Sequence, residues 1–374
     1  MLPADVLNMP AGQTSLEFVL VVNPGNAPDP TTGLGQVPYL YQIGKYHVTA
    51  AQYVEFLNAV AATDTYGLYY TSMANTADCA IQRTGAPGSY SYNVDPAWAN
   101  RPVNFTSFGI AARFCNWLTN DQPTGIQDLS TTEDGSYYLN GANDNTMLKA
   151  VARTPDAVYV LPTQDEWYKA AYHKNDGVTD HYWDYPTQSN EPPVAEAPPG
   201  RSEPPGSANY LSIMGSAQHL TDVGAYTTSP GPYGTFDQGG LLYQWTDSLI
   251  APSFAGYSGF AMLNSSFLSS SSLQLRSDYR IWPWSPMGQY NFFGFRVARV
   301  YEHVQADFDH DGDVDSDDLE HFESCASGPA IPQTAPACLD ARLDSDDDVD
   351  QSDFGLFQRC YSGKDVPADP TCLD

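Results

Sequence analysis

The sequence predicts an α+β protein, a large mixed and loop-rich domain followed by a small all-α module. Three observations predict it. Short helical and strand patterns are interspersed through the first part of the chain with turns rich in Tyr, Gly, Pro, Ser and Asn. An acidic twelve-residue pattern occurs twice near the C-terminus, at a spacing of 35 residues. A chain of 374 residues is long for one domain, and the acidic repeats mark a boundary after Arg299. The expected organisation is an N-terminal segment 1–11, a large domain 12–300 and a module 305–374.

In the large domain the helices stand out. Thr49 opens one, with Tyr53, Phe56, Leu57 and Val60 on one face at helical spacing. Ser107 opens a second that carries Ala111, Phe114, Cys115 and Leu118. Thr163 and Glu166 form the capping box of a third, which turns Trp167, Ala170 and Ala171 inward. Strands are expected over 16–22, 39–48 and 293–300. The Pro-rich stretch 191–205 reads as a surface loop, because core-like segments follow it. Trp282, Trp284 and Phe292, in an aromatic stretch, either fill the core or offer stacking faces to a sugar or a protein.

The module is carried by residues 307–318, DFDHDGDVDSDD. Acidic side chains at loop positions 1, 3, 5, 9 and 12, with Gly312 at position 6, suit a hard cation that takes six to eight oxygens from a sharply turning loop. Asp307, Asp309, Asp311, Asp315 and Asp318 are expected as side-chain ligands of calcium, with Asp313 offering its backbone carbonyl. In the second copy, position 1 is Arg342 and position 6 is Asp347, which leaves Asp344, Asp346, Asp350 and Asp353, with Asp348 at the carbonyl position. An arginine cannot ligate a cation. The second loop is therefore expected to bind more weakly, or to stay empty with Arg342 as an internal counter-ion.

Two such loops, each followed by a short helix (317–323 with Leu319 and Phe322; 352–359 with Phe354 and Phe357), resemble the dockerin family. The resemblance implies a protein partner of the cohesin kind, met by loop positions 10 and 11, here Ser316 with Asp317 and Gln351 with Ser352. It leaves self-association open as well.

Charge and cysteine usage narrow the classes. Residues 305–374 hold 19 acidic against three basic residues, a net charge of −16, and the rest of the chain carries −13. Such a chain repels phosphate backbones, so no nucleic acid is expected. No apolar run reaches the ~20 residues that span a bilayer. Cys325 with Cys338 and Cys360 with Cys372 bracket equivalent Pro-containing stretches in the two repeats, and a disulfide in each is expected. Cys79 and Cys115 form a third bridge or stay reduced. Disulfides and calcium point to an extracellular or cell-surface protein. The first ten residues lack the charged start and apolar core of a secretory leader.

A second set of motifs occurs in order along the large domain. These are Tyr41-Gln-Ile-Gly-Lys-Tyr-His-Val-Thr49, Arg101-Pro-Val-Asn104, Phe114-Cys-Asn-Trp117-Leu118, Leu161-Pro-Thr-Gln-Asp-Glu-Trp167, Phe236-Asp-Gln-Gly-Gly-Leu-Leu-Tyr-Gln-Trp245 and Gly294-Phe-Arg296. Together they resemble the formylglycine-generating enzyme, or sulfatase-modifying factor, domain, whose fold is C-type-lectin-like. That family's oxidation of a substrate cysteine needs two thiolates holding copper(I). The matching segment, residues 264–276, has no cysteine, and Ser269 and Gln274 stand where the thiols belong. Neither copper nor formylglycine generation is expected. The resemblance also implies two calcium sites, one at Asp237, Gly240, Leu242 and Gln244, the other at Asn209, Tyr210, Asp222 and Gly224.

No zinc-protease histidine spacing, phosphate loop or nucleophile elbow occurs. The expected function is thus a secreted, non-catalytic, calcium-binding structural or interaction protein whose module docks or self-assembles. The alternative is an enzyme or a carbohydrate- or peptide-binding protein that reuses the old pocket near Ser269, Gln274, Arg276 and Arg280. Asn104 and Asn264 match glycosylation sequons.

Overall fold

In the structure, a computed structural model that describes residues 5–8, 15–215, 219–250, 258–279, 282–301, 304–344 and 346–373, Thr49, Ser107 and Thr163 each sit at a helix N-cap. The described elements run β1 (Asp5–Asn8), β2 (Ser15–Val21), β3 (Tyr41–Gly44), α1 (Ala50–Val60), β4 (Ile81–Thr84), β5 (Ser91–Val94), α2 (Phe108–Thr119) and α3 (Asn145–Lys149). There follow β6 (Tyr159–Val160), α4 (Gln164–Tyr172), β7 (Val194–Ala195), β8 (Ser207–Ala208), β9 (Tyr243–Ile250), β10 (Gly259–Leu263), β11 (Trp282–Trp284), β12 (Phe293–Gly294), β13 (Ala298–Val300), α5 (Ser316–Cys325) and α6 (Gln351–Cys360). The chain separates into two units. The first comprises Met1–Val21, Ala27–Gln36 and Gln42–Arg299, and the second Val22–Asn26, Val37–Tyr41 and Val300–Asp374.

The first unit is a mixed α/β fold with few helices. A five-stranded sheet has the order β1-β2-β3-β13-β6, and a four-stranded sheet the order β11-β10-β9-β12, in which β12 pairs parallel with β9. Local chemistry sets the helix starts. Thr49 and Gln52 exchange side-chain bonds with each other's amides, a capping box that sequence reading located only at Thr163 and Glu166. The apolar faces of α1 and α2 meet in a ring cluster, with Phe56 5.3 Å from Phe114 and 5.2 Å from Trp117. Ring pairs at such separations add to the area they bury.

Two expected strands are shorter than their apolar runs. The segment 39–48 stays in its sheet only over Tyr41–Gly44, after which Val48 bonds Phe295 and Val103. The segment 293–300 breaks between β12 and β13, where Arg296 is fully buried and donates to Gln244 and to the carbonyls of Gly44, Lys45 and Phe236. A guanidinium needs that many acceptors to be buried at all. Cys79 and Cys115 are separate buried thiols, so of the two readings for this pair the third bridge is not formed.

The second unit is built on a repeat. Asp315 and Asp350 are the N-caps of α5 and α6, each in a capping box with the aspartate three residues on, Asp318 or Asp353. Val314, Val349, Phe322, Phe357, Ala341 and Leu343 share a core, in which the rings of Phe322 and Phe357 lie 5.5 Å apart. Disulfides join Cys325 to Cys338 and Cys360 to Cys372. Two N-terminal stretches complete the unit, which residue patterns alone did not foretell. Leu40 N donates to Asp311 O at 2.6 Å, Gly25 N to Val37 O at 2.9 Å, and Asn23 N to Asp365 Oδ1 at 3.3 Å.

Candidate metal centre

The two acidic loops bring their carboxylates together. Within the first, ligand atoms of Asp307, Asp309 and Asp311 all lie within 4.8 Å of one another, and so do those of Asp313, Asp315 and Asp318. The second converges as Asp344, Asp350 and Asp353, and as Asp346, Asp348 and Asp353. Among the described residues no other trio of His, Cys, Asp or Glu comes this close. Gly312 makes the first turn possible at φ +96°, a conformation that side-chain-bearing residues adopt only at a cost. Its N–H donates to Asp307 Oδ2 at 3.0 Å, and Asp318 accepts from Phe308 N and Asp315 N.

Gathering these acids perturbs them. Burial, reinforced by the neighbouring carboxylates, pushes Asp307 and Asp313 up to about 7 and Asp311 to about 6. A divalent cation among these oxygens would reverse that penalty.

At position 7, expected to offer its backbone carbonyl, the side chain is engaged as well. The Asp313 side chain is 1 % exposed, its Oδ2 accepts from Asp365 N at 2.6 Å, and its Oδ1 is buried with no hydrogen-bond partner. Asp348 repeats this, with Ala330 N as donor to Oδ2 and Oδ1 buried without a partner. Arg342 Nη1 lies 3.5 Å from Asp347 Oδ1, and Nη2 donates to Gln333 O. The docking-position residues Ser316, Asp317, Gln351 and Ser352 are exposed.

The oxygens that the enzyme resemblance assigns to calcium are differently engaged. Asn264 Nδ2 donates to Gly240 O at 2.7 Å, to Leu242 O at 3.2 Å and to Asp237 O at 3.4 Å. Gln244 Oε1 accepts from Trp167 Nε1 at 2.8 Å and Arg296 Nε at 2.7 Å. Amide and guanidinium N–H groups thus take these oxygens. The Asp237 carboxylate accepts from Gly224 N at 2.6 Å and is raised by burial to about 6, against the pull of Arg296. In the other set, Asn209 Oδ1 is buried without a partner, while the Asp222 side chain is 56 % exposed and faces Arg101 at 3.9 Å. Tyr210 is buried, its hydroxyl donating to Pro193 O.

A cavity beside Gln274 and Arg276 is small and aromatic. About 50 Å³ is lined by Trp167, Tyr168, Tyr172, Tyr243, Tyr279 and Trp284, with Met262, Leu263, Asn264, Gln274, Arg276 and Ser277. Gln274 and Arg276 are among its lining residues. Ser269 does not line it: the side chain is buried and its Oγ accepts from Ser266 N at 3.0 Å. Arg280 lies outside the described residues. Trp284 joins the lining, Phe292 is half-buried, and the side chain of Trp282 lies outside the described residues. Sequence reading singled out Trp167 and Trp284 but not Tyr168, Tyr172, Tyr243 and Tyr279 as their neighbours, because these rings come from α4, β9 and the stretch after β10. Both sequon asparagines, Asn104 and Asn264, are buried with their amides on backbone carbonyls. Burial also raises the Cys79 thiol to about 12 and Cys115 well above the ordinary thiol value, which leaves both as unreactive thiols.

Residues 7–301 match the family model described as the sulfatase-modifying factor enzyme 1-like domain. Solved structures similar to this chain include CarF (19% identity, 76% of this chain and 98% of that one, TM-score 0.48). Others are Treponema denticola variable protein 1 (16%, 79% and 98%, TM-score 0.46) and PvdO from Pseudomonas aeruginosa (15%, 80% and 100%, TM-score 0.44). No curated protein matches the chain.

Proposed function

The chain belongs to the sulfatase-modifying factor enzyme 1-like family, and we propose that it is a secreted, calcium-stabilised interaction protein that has left formylglycine chemistry behind. The observation that carries the metal reading is the pair of repeated loops, each with converging carboxylates and a buried, unpartnered position-7 oxygen. Carboxylates gathered this closely, with Asp307, Asp313, Asp315, Asp318, Asp348 and Asp353 buried, call for a counter-cation, and all-oxygen donors suit calcium. Asp307, Asp309, Asp311, Asp315 and Asp318 would hold the tighter ion and Asp344, Asp346, Asp350 and Asp353 the weaker. The exposed starts of α5 and α6 would then meet a protein partner or another copy of the chain, in the manner of a dockerin.

The segment 264–276 offers no thiolate for copper(I). Ser269 is spent on a turn, and Gln274 Oε1 accepts from Ser270 N at 2.8 Å. Neither side chain is a soft ligand for copper(I). Secretion is supported by two disulfides, and no helix among the described residues is long and apolar enough to cross a membrane. Sizing of the full chain with calcium and with a chelator tests the docking role. A calcium-dependent change in assembly or partner binding is expected, and an invariant monomer that binds no partner would overturn it.

The six-ring pocket favours a second reading, a ligand-binding site for a small apolar or sugar-like group held against Arg276 and Gln274. Quenching of tryptophan fluorescence by the ligand, lost in Trp284→Ala, would support it.

A further inference from the structure

Each acidic loop is clasped by the segment that follows the helix of the other repeat. On the first loop, Ser362 N and Gly363 N donate to Val314 O at 2.9 and 3.0 Å, and Ala368 N donates to Gly312 O at 3.1 Å. Val314 N donates to Ser362 Oγ at 3.0 Å, and Asp365 N to Asp313 Oδ2 at 2.6 Å. The second loop repeats the set: Ser327 N and Gly328 N donate to Val349 O at 3.0 and 3.1 Å, and Gln333 N to Asp347 O at 2.8 Å. Val349 N donates to Ser327 Oγ at 3.0 Å, and Ala330 N to Asp348 Oδ2. The clasping residues 327, 328, 330 and 333 recur 35 positions on, as 362, 363, 365 and 368.

Each clasp lies inside a disulfide-closed stretch. Cys325–Cys338 encloses the residues that hold the second loop, and Cys360–Cys372 encloses those that hold the first. The clasp also fixes one oxygen of each position-7 carboxylate, which determines where the unpartnered one is aimed. Groups that orient ligands without touching the ion can tune its affinity as ligands do.

We propose that each repeat positions the metal loop of the other. Ser362 and the Cys360–Cys372 bridge are positioning groups for the first loop, and Ser327 and the Cys325–Cys338 bridge for the second. This rests on the calcium reading above, and its consequence is a crossed pattern of defects that no merely local support would produce.

The test is calorimetric calcium titration of the full chain in two backgrounds. Asp344→Ala with Asp346→Ala leaves the first loop to be read, and Asp309→Ala with Asp311→Ala leaves the second. Ser362→Ala is expected to weaken the first loop about fivefold, the worth of one hydrogen bond, and to leave the second unchanged; Ser327→Ala does the reverse. Ser362→Thr and Ser327→Thr, which keep the hydroxyl, restore affinity. Replacing Cys360 and Cys372 together by serine weakens the first loop more than the second. If that pair fails to fold, the single serine variants decide. A defect in the loop of the same repeat, an equal defect in both, or no defect while calcium still binds overturns the proposal. A parent chain that takes up no calcium overturns the metal reading itself, and the proposal with it.

Discussion

Gly312→Ala and Gly355→Ala are the same chemical change at two places in the second unit, and the structure separates their outcomes. Gly312 has φ +96°, where a Cβ costs ~1–2 kcal/mol. A Cβ there would stand 3.2 Å from both the Cβ and the backbone N of Leu40. Leu40 is buried and its N–H donates to Asp311 O, so this neighbour cannot swing aside. Overpacking of that kind adds ~1–3 kcal/mol, for a total of at least about 2 kcal/mol. Gly355 lies within α6 with nothing within 4 Å of its added Cβ. Alanine there gains ~0.5–1 kcal/mol in helix propensity. No tryptophan occurs in residues 300–374, so hydrogen exchange of α5 and α6 followed by mass spectrometry is the suitable assay. Protection is expected to fall by at least about 30-fold in Gly312→Ala and to rise several-fold in Gly355→Ala. Unchanged protection in Gly312→Ala would refute the packing of Leu40 against the loop.

Three further expectations concern the first unit. Burial, with Lys169 adding to it, holds His173 neutral and lowers it from 6.5 to about 4. The unfolded chain therefore takes up a proton that the folded chain refuses, and stability falls as pH drops from about 6.5 toward about 4, by up to about 3 kcal/mol; urea unfolding should show this slope, and His173→Gln should reduce it, the buried His47, also held well below its ordinary value, supplying a remainder. Glu133 meets Arg113 in a buried bidentate pair at 2.6 and 2.8 Å and also accepts from Gly141 N. Glu133→Ala, which strands the guanidinium, should cost about 3–5 kcal/mol in the same assay. Incubation with copper(I) and a sulfatase-type cysteine peptide should yield no aldehyde, and turnover would contradict the roles given to Ser269 and Gln274.

What could be read from the sequence followed the range of the interactions involved. The aspartate spacing of the first loop, the serine and threonine caps and the paired cysteines are local patterns, in which a few neighbouring residues determine the geometry. The family motifs were legible because they occur in order along residues that the family model matches. Long-range satisfaction was not legible. Asn264 sits among carbonyls contributed by Asp237, Gly240 and Leu242, and only the folded chain shows that an amide can take those oxygens. The joining of Val22–Asn26 and Val37–Tyr41 to the second unit depends on backbone groups that every residue carries. Ser327 and Ser362 did leave a signal. They repeat at the same 35-residue spacing as the aspartates and cysteines, and a reading limited to ligands and thiols passes over them.

Calcium titrated into the chelator-treated full chain tests the central claim most directly. One tight binding event is expected, abolished by Asp309→Ala with Asp311→Ala, together with at most a weaker second one that disappears with Asp344→Ala and Asp346→Ala. A chain that binds no calcium would contradict the account, and two events of equal affinity would contradict the part given to Arg342.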